Sequence, residues 1–327
     1  MTSKVAVIGV GRMGRYHCRV LSRLGRLCAI ADVKPSPELQ KEYSVPIYTD
    51  YKQMMEKHPE IEGIVVSTPT SNHAELTEEL LEYSNIKAIL VEKPVAASIE
   101  AGNKLKEKAS GSNKKISVGH IEVYNPVVRR MIQIVEEKTI GEIRTVVFER
   151  RGAVSDGRLE SIGDILQDIA IHDFDTASRL LPEDTYTLVA KGLMHQGVIN
   201  TATVVMASPK TTCTFLFSRE YAGKVRKVEI EGSKATMLVD LLDQFIEIRE
   251  LAIATGDTKS ITVPFGSGTR IKTYGEPLLE EIWNFLDTIE GSDPLVNLDD
   301  GIAGMKLVEL SRKSIEDGES KIYKLKR

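Results

Sequence analysis

The segment Gly9–Gly14, which reads GVGRMG, constrains the fold of this chain more than any other. It follows an apolar, β-branched run, Lys4–Ile8, and precedes a helical pattern, Met13–Leu24. In a G-x-G-x-x-G loop the first glycine permits a tight turn, the second lets a phosphate approach the backbone, and the third lets helix and strand pack closely. With a strand before it and a helix after it, the motif predicts a dinucleotide-binding βαβ unit.

The start of the predicted helix offers unpaired backbone N–H groups and the positive end of a helix dipole to a pyrophosphate. The cofactor-binding candidates in this loop are therefore Gly9, Gly11, Arg12, Met13 and Gly14. Arg12 equally suits an exposed helix start, and the glycines alone would suit an ordinary turn.

Asp32 ends the next apolar run, Leu27–Ala31, about 20 residues beyond the glycines. A carboxylate at this place can bind both ribose hydroxyls of a dinucleotide and repel a 2′-phosphate. The sequence therefore predicts NAD as the cofactor and disfavours NADP. The nearby cations Lys34 and Arg12 argue in the opposite direction, and a solvated strand end is the alternative for Asp32.

The first third of the chain alternates short β-branched runs with helical patterns. The predicted strands are Lys4–Ile8, Leu27–Ala31, Ile61–Ser67, Lys87–Val91 and Lys115–Val118, and the predicted helices are Met13–Leu24, Tyr51–Glu56, His73–Tyr83 and Ile99–Ala109. Such alternation predicts a parallel sheet covered on both faces. Asp50 and Ser98 are placed to cap helix starts, and Gly25 is placed to end a helix. Residues 1–120 are thus predicted to form a Rossmann domain.

After residue 120 the pattern changes to consecutive strands with short loops, which predicts an open, mainly antiparallel sheet. The predicted strands are Ile143–Arg151, Thr187–Met194, Thr201–Ala207, Thr212–Ser218, Lys227–Glu231, Ala235–Asp240 and Phe245–Arg249. Helices are predicted from Pro126 to Lys138, over Asp164–Leu181, and near Pro277–Ile289 and Gly301–Ile315. Residues 121–327 are therefore predicted to form an α+β domain, and 327 residues suffice for two domains.

Composition excludes several classes of function. Lys plus Arg is 43 and Asp plus Glu is 47, so the net charge of −4 disfavours non-specific nucleic-acid binding. No apolar run is long enough to span a membrane, and the start lacks the features of a signal peptide. Cys18, Cys28 and Cys213 form no C-x-x-C pair. We expect three reduced thiols in a cytoplasmic protein without a metal site.

Two segments follow predicted strands at the carboxyl edge of the sheet, where open α/β folds bind ligands. Ser67–His73 reads STPTSNH, and its cofactor-binding candidates are Ser67, Thr68, Pro69 and His73. A capped helix start is an equally good interpretation of this segment. The second segment, Glu92-Lys93-Pro94, directly follows the strand Lys87–Val91.

The segment Asp168–Asp175 reads DIAIHDFD and places Asp168 and His172 on one face of a helix, if it is helical. A histidine, a lysine and a carboxylate would suit alcohol oxidation. Histidine can take the hydroxyl proton, lysine can donate a hydrogen bond to the developing oxygen charge, and the carboxylate can orient the base. By spacing alone, Lys93 also suits a surface lysine, and Asp168 and His172 suit a solvated pair.

Together these motifs resemble the Gfo/Idh/MocA oxidoreductases, which are NAD(P)-dependent enzymes acting on sugars, inositols and their derivatives. The resemblance covers essentially the whole chain and rests on GVGRMG, STPTSNH, EKP and DIAIHDFD. It implies that Lys93, Asp168 and His172 form the catalytic group. It also implies that Glu92, Lys93 and Pro94 lie at the cofactor, with a cis peptide bond at Pro94 that sets the direction of Lys93.

The segment Val118–Pro126 is similar to one in members that act on nucleotide-activated amino sugars, including the UDP-N-acetylglucosamine 3-dehydrogenase-like group. The substrate-binding candidates are His120, Tyr124 and Asn125, together with Lys93 and His172. Asn125-Pro126 equally suits a helix start. This chain has Val123 where many relatives carry arginine, so a cation that could meet an anionic group is absent there.

Three arginines in the second domain, Arg150, Arg151 and Arg158, could meet a carboxylate or a pyrophosphate, or could form a solvated face. A metal site built from His172, Asp173 and Asp175 is disfavoured because neighbouring residues on a helix point in different directions.

The leading functional hypothesis is an NAD-dependent dehydrogenase that oxidises a ring hydroxyl of a sugar or sugar nucleotide, with UDP-N-acetylglucosamine at its 3-hydroxyl as the first choice. The alternatives are an inositol or simple sugar dehydrogenase, and a dinucleotide-sensing regulator without turnover. The open sheet face would need covering, which predicts a sheet-to-sheet homo-oligomer, and the resemblance implies a homodimer or homotetramer. No nucleic acid or membrane partner is expected.

Overall fold

The predicted parallel sheet forms in the first part of the chain. The computed structural model describes residues 3–154, 163–195, 197–250 and 268–325. Strands β1 to β6 are Lys4–Ile8, Leu27–Ala31, Ile47–Tyr48, Ile61–Val66, Ala88–Glu92 and Lys115–Gly119. Every pairing in this sheet is parallel, in the order β3-β2-β1-β4-β5-β6. The direction of strand order reverses between β1 and β4, which is where such folds bind dinucleotides.

The helices that connect these strands begin and end for local reasons. Helices α1 to α5 are Arg12–Arg23, Pro37–Glu42, Tyr51–Lys57, His73–Leu80 and Ile99–Ser110. The Asp50 carboxylate caps α3 by accepting from Lys52 N, and the Ser98 hydroxyl caps α5 by accepting from Ala101 N. Gly25 follows α1 with a φ of +67°, the left-handed conformation that commonly ends helices. These three predictions are confirmed.

A helix from far along the chain completes the core of this unit. Helix α8, Pro277–Ile289, buries Ile282 and Phe285 among the apolar side chains of β1, β2, β4 and β5. A β-carbon on Gly63 would lie 2.4 Å from Ile289 Cδ1, so the strand and the helix approach closely at this glycine. By its contacts, the first unit comprises the chain through Tyr124 and the segment Glu276–Met305.

The second unit comprises Asn125–Gly275 and Lys306–Arg327 and contains the larger sheet. Strands β7 to β15 are Ile143–Gly152, Thr185–His195, Val198–Ala207, Thr212–Ser218, Lys224–Gly232, Ala235–Asp240, Phe245–Glu250, Gly268–Lys272 and Lys321–Lys324. Within the described ranges the order is β14-β13-β12-β11-β7-β10-β9-β8-β15. Only β7 and β10 pair in parallel there, so the prediction of an open, mainly antiparallel sheet is confirmed.

One face of this sheet is packed and the other is partly open. Helices α6, Pro126–Glu136, and α7, Ile171–Leu180, belong to this unit, as does the part of α9, Leu298–Asp317, that begins at Lys306. The ring of Phe174 on α7 meets the edges of Phe215 and Phe217 at centroid distances of 5.0 and 5.9 Å. On the other face Val189 and Val205 lie opposite each other on β8 and β9, 40% and 37% exposed.

The structure contains four short elements that the sequence did not predict, and it divides one long predicted helix in two. Helix α2 and strands β3, β14 and β15 are too short to show a periodicity in sequence. The helix predicted over Asp164–Leu181 is a π-helical turn, Leu166–Ala170, followed by α7.

Two predictions drawn from composition can also be compared with the structure. The three cysteines are free, and burial raises the pKa of both Cys18 and Cys28 to about 12. None of the described helices is long and apolar enough to cross a membrane.

Candidate active site

The three glycines of the loop after β1 differ in what an added β-carbon would contact. Gly9 has a φ of +88°, and a β-carbon there would lie 2.6 Å from the carbonyl oxygen of Ser67. A β-carbon on Gly14 would lie 2.0 Å from the carbonyl oxygen of Gly9, so only glycine lets α1 pack against this loop. A β-carbon on Gly11 would have nothing within 4 Å. The protein itself therefore does not require glycine at position 11.

The space over Gly11 fits a dinucleotide pyrophosphate. Gly11 precedes the 12-residue helix α1, and no side chain caps the N–H groups at its start. Arg12 is exposed beside it and Met13 is partly exposed. Unfilled space next to uncapped helix N–H groups is what a phosphate needs in order to approach the backbone.

Asp32 is held in place by the backbone around it. Its Oδ2 accepts a hydrogen bond from Val10 N at 2.6 Å, and its Oδ1 accepts one from Lys34 N at 2.8 Å. A carboxylate has about four acceptor sites, so both oxygens retain capacity for ribose hydroxyls. The carboxylate at the end of β2 is thus positioned directly against the phosphate loop.

The structure brings all the predicted cofactor-binding residues to one edge of the sheet, within the first unit. The phosphate loop follows β1, Asp32 follows β2, Ser67–His73 follows β4, and Glu92-Lys93-Pro94 closes β5. These four strands are neighbours in the order β2-β1-β4-β5, so their carboxyl ends lie side by side.

His73 joins two of these loops. Its Nδ1 lies 2.7 Å from the carbonyl oxygen of Pro94, and its Nε2 lies 2.8 Å from that of Thr68. Carbonyl oxygens only accept hydrogen bonds, so both ring nitrogens face acceptors. The His73 ring is buried and both of its nitrogens are engaged, so the structure shows it supporting the loops. Direct contact between His73 and a cofactor stays a prediction.

Lys93 is half-buried at the end of β5, and the Lys93–Pro94 peptide bond is cis. The preceding residue, Glu92, is buried, and its Oε1 lies 2.7 Å from Nε2 of His17, which is also buried, on α1. Glu92 Oε2 accepts from Lys93 N at 3.2 Å. The carboxylate of Glu92 therefore supports Lys93 from inside the fold.

A second buried carboxylate belongs to Glu281 on α8, which is 1% exposed and lies close enough to Glu92 for the two charges to interact. Neither of its oxygens has a hydrogen-bond partner within the described part of the chain. Burial, and after it the negative charge of Glu92, raises the pKa of Glu281 well above its ordinary value. Burial also acts to raise the pKa of Glu92, but the hydrogen bond from His17 and nearby positive charges outweigh it, so that pKa is lowered. Of the two carboxyl groups, Glu281 is therefore the one whose protonated form is favoured by burial.

Replacing Glu281 by glutamine is expected to flatten the pH dependence of stability. The folded protein keeps a proton on Glu281 that the unfolded chain releases above about pH 4.3. Folding stability is therefore lost as pH rises from that value toward the raised folded pKa, by up to about 1.4 kcal/mol per pH unit. Urea unfolding of both proteins from pH 5 to pH 8 measures the slopes. Equal slopes would show that Glu281 is ionised in the folded protein.

In the second unit, Asp168 lies in the π-helical turn and His172 in the first turn of α7. A buried arginine, Arg219, donates from Nη2 to Asp168 Oδ2 at 2.9 Å. The same guanidinium donates to the carbonyl oxygens of Gly163 and Asp164 at 2.6 and 3.3 Å. Arg219 therefore ties the carboxylate of Asp168 to the segment that leads into the turn. π-Helical turns are found frequently at functional sites.

The acidic residues that follow His172 form ion pairs with arginines inside the fold. The buried Asp173 accepts from Arg150 Nε and Nη2 at 2.9 and 2.6 Å, and Asp175 accepts from Arg179 Nη2 at 3.3 Å. No cluster of three or more metal-ligating side chains occurs among the described residues. The carboxylates of Asp173 and Asp175 are therefore engaged in ion pairs within the fold.

The candidates His120, Tyr124 and Asn125 are buried, and the last two form hydrogen bonds inside the fold. The Tyr124 hydroxyl donates to Asn284 Oδ1 at 3.0 Å. Asn125 caps α6 by accepting from Val127 N at 3.2 Å and donates to the carbonyl oxygen of Leu241 at 3.3 Å. The interpretation of Asn125-Pro126 as a helix start is therefore correct. Substrate binding by His120, Tyr124 and Asn125 stays a prediction.

The sequence analysis missed three residues that lie beside the candidate site residues: His17, Arg219 and Glu281. His17 lies on the buried face of α1, three residues after Gly14, and a histidine on an apolar helix face was the available signal. Glu281 likewise interrupts the apolar face of α8. Arg219 carries no local signal, because its partners lie about 50 residues earlier in the chain.

Two family models match the chain. Residues 3–120 match the oxidoreductase family with an NAD-binding Rossmann fold, and residues 128–238 match the GFO/IDH/MocA C-terminal domain. Among curated proteins, inositol 2-dehydrogenase of Rhizobium meliloti is 27% identical over 97% of this chain and 98% of its own length. UDP-N-acetylglucosamine 3-dehydrogenase of Acidithiobacillus ferrooxidans is 23% identical over 93% of this chain and 94% of its own length.

Solved structures agree on the fold. A crystal structure of UDP-N-acetylglucosamine 3-dehydrogenase from Acidithiobacillus ferrooxidans superposes with a TM-score of 0.83 at 20% identity, covering 97% of this chain and 98% of that one. The matched family models agree with the relatives that align over nearly their whole length, and the folds of both units agree with the solved structure. The chain is a member of the Gfo/Idh/MocA family of NAD-binding oxidoreductases.

Proposed function

We propose that this protein is an NAD-dependent dehydrogenase that oxidises a ring hydroxyl of a sugar or sugar nucleotide. The observation that carries the proposal is the placement of Lys93 at the same sheet edge as the open position over Gly11 and the carboxylate of Asp32. A cation beside a dinucleotide site is suited to stabilising the negative charge that develops on a hydroxyl oxygen while the hydrogen on its carbon leaves as hydride. In this proposal residues 1–120 bind the dinucleotide, and residues 121–327 bind the substrate and form the oligomer.

The chain's own residues perform the remaining chemistry. Bound NAD would supply the hydride acceptor, held by the loop after β1, by Asp32 and by the loops after β4 and β5. His172 accepts the hydroxyl proton, since imidazole is a suitable base near neutral pH. Lys93 donates a hydrogen bond to the oxygen as negative charge develops. Asp168, positioned by Arg219, orients His172 and the substrate.

UDP-N-acetylglucosamine at its 3-hydroxyl is the proposed substrate, and inositol or a simple sugar is the second candidate. Both classes occur among the names of the whole-length relatives. The test is NADH formation after purified protein receives NAD with UDP-N-acetylglucosamine, myo-inositol or glucose in parallel. A signal from the UDP-sugar alone supports the first assignment, and a signal from the polyols alone replaces it with the second.

A regulator that binds the dinucleotide without turnover is a rival of a different class. Lys93, Asp168 and His172 are all present, and a sensor does not require the three together. NAD binding without NADH formation from any substrate, together with dinucleotide-dependent capture of a protein partner, would favour the regulator.

Removing the charge of Asp32 is expected to weaken the discrimination between NAD and NADP. Asp32→Ala removes both the negative charge and the two backbone contacts, whereas Asp32→Asn keeps an acceptor for one of them. Loss of the repulsion should lower the ratio of kcat/KM for NAD over NADP by about tenfold or more in both variants. Steady-state kinetics with both cofactors measures the ratio, and an unchanged ratio would remove Asp32 from cofactor selection.

The open sheet face of the second unit is proposed to bind a second copy of the chain. Val189, Val205 and Ile322 lie on this face, and Ile322 is 59% exposed. Val205→Glu should therefore lower the molar mass measured by sedimentation velocity. Val33→Glu, at an 82% exposed position of the first unit, is the control. An unchanged mass for Val205→Glu would exclude this face as the contact.

A further inference from the structure

A cationic pocket lies within the second unit, at the carboxyl end of β7. Its volume is about 190 Å³, and four of its lining residues are cations: Arg150, Arg151, Lys224 and Arg226. None of the described residues that line it carries a carboxylate. Arg158, the third arginine noted in the sequence, lies outside the described residues. We infer that this pocket binds the phosphate or diphosphate group of a phosphorylated sugar substrate.

The register of the sheet places three of the four cations, Arg150, Lys224 and Arg226, on one face, and Arg151 alternates to the other. Strands β7 and β11 are antiparallel, with Arg226 directly opposite Arg150 and Lys224 directly opposite Gly152. Directly opposed residues point to the same face, and like charges in that arrangement are destabilising. Gly152 has no side chain to fill the space facing Lys224. Asp173 offsets part of the charge of Arg150, and an anion bound between these side chains reduces the repulsion that remains.

The neighbours of the pocket hold two of its cations in fixed orientations. Arg150 is 5% exposed, and Asp173 binds it through Nε and Nη2. Arg151 pairs with Glu149, and its guanidinium lies 4.2 Å from the ring centroid of Tyr221. Lys224 is exposed, and its ammonium forms no ion pair with a described residue. Pre-oriented guanidinium groups beside an available ammonium are suited to phosphate oxygens.

Size and position indicate which part of a ligand the pocket takes. Pockets that enclose a whole small ligand measure about 300–1,000 Å³, so a pocket of 190 Å³ suits one group rather than an entire nucleotide. Ile169 lines the pocket and directly follows Asp168 in the π-helical turn. A phosphoryl group held here therefore belongs to a ligand whose reacting end lies toward Asp168 and His172. The inference rests on the proposed function, and it favours a phosphorylated sugar over a neutral polyol.

The first experiment measures anion binding by calorimetry, with inorganic pyrophosphate and UDP as probes and NAD present at saturation. Saturation with NAD keeps the probes out of the dinucleotide loop. Arg226→Gln and Lys224→Gln are each expected to weaken both probes by about tenfold. The matched control is Lys227→Gln, which removes the same charge from β11 on the opposite face and should change nothing. Equal binding by all four proteins, or no binding by the unaltered chain, would overturn the inference.

The second experiment separates failure of this inference from failure of the proposed function. Michaelis constants are measured for UDP-N-acetylglucosamine and for myo-inositol, with NAD affinity and circular dichroism as controls for folding. A KM increase of about tenfold for the UDP-sugar alone supports the pocket. Turnover of myo-inositol, with a KM for the UDP-sugar unaffected by the substitutions, overturns the pocket and leaves a dehydrogenase. Loss of pyrophosphate binding in the variants, with no turnover by the unaltered chain, supports the pocket and overturns the dehydrogenase.

Discussion

Alanine in place of Lys93 is expected to lower kcat by about 10²- to 10⁴-fold and to leave the Kd of NAD nearly unchanged. A donor that acts on charge developing in the transition state contributes on this scale. In the proposed site, binding of the dinucleotide depends mainly on the loop after β1 and on Asp32, which this substitution does not touch. Lys93 N, which donates to Glu92, is also kept because it belongs to the backbone.

The measurement is single-turnover NADH formation together with calorimetric titration of NAD. Lys93→Arg is the informative companion, since it keeps the charge but changes the position of the donors, and it should recover little activity. Lys87→Ala, at an exposed position just before β5, is the control for a lost surface charge. Unchanged turnover in Lys93→Ala would exclude the lysine from the mechanism.

Alanine at Gly14 is expected to lower the stability of the fold, whereas alanine at Gly11 is expected to leave stability unchanged and to weaken NAD binding. The new methyl group at Gly14 would lie 2.0 Å from the carbonyl oxygen of Gly9, so α1 must move away from the loop. Overpacking of this kind costs about 1–3 kcal/mol of stability. The methyl group at Gly11 meets nothing within 4 Å, so stability should stay within about 0.5 kcal/mol. It occupies the space that a pyrophosphate needs, and the Kd of NAD should rise about 100-fold or more.

Urea unfolding without cofactor and calorimetric titration of NAD measure the two effects separately. The two variants carry the same chemical change three residues apart, so each is the control for the other. Unchanged NAD affinity in Gly11→Ala would place the pyrophosphate elsewhere. Unchanged stability in Gly14→Ala would contradict the close approach of α1 to Gly9.

Features of the chain that depend on short-range interactions were predictable from its order of residues. The caps at Asp50 and Ser98, the glycine after α1 and the phosphate loop each involve residues a few positions apart. The parallel sheet was also predictable, because strand and helix periodicities alternate and parallel strands need crossover helices. The candidates Asp32, Ser67 and Lys93 then fall at one edge, because parallel strands end on the same side.

The order of residues by itself therefore predicted the two folds, the glycine-rich loop and the resemblance to the family, since the motifs behind them rest on local pattern and spacing. Only the tertiary structure decided that His17 meets Glu92, that Arg219 holds Asp168, and that Arg226 faces Arg150. These pairs are separated by about 50 to 80 residues, so they depend on sheet register and on which helix face is buried. Burial also decides charge state: Glu281 looks like an ordinary acidic residue in sequence, and the low-dielectric core around α8 raises its pKa.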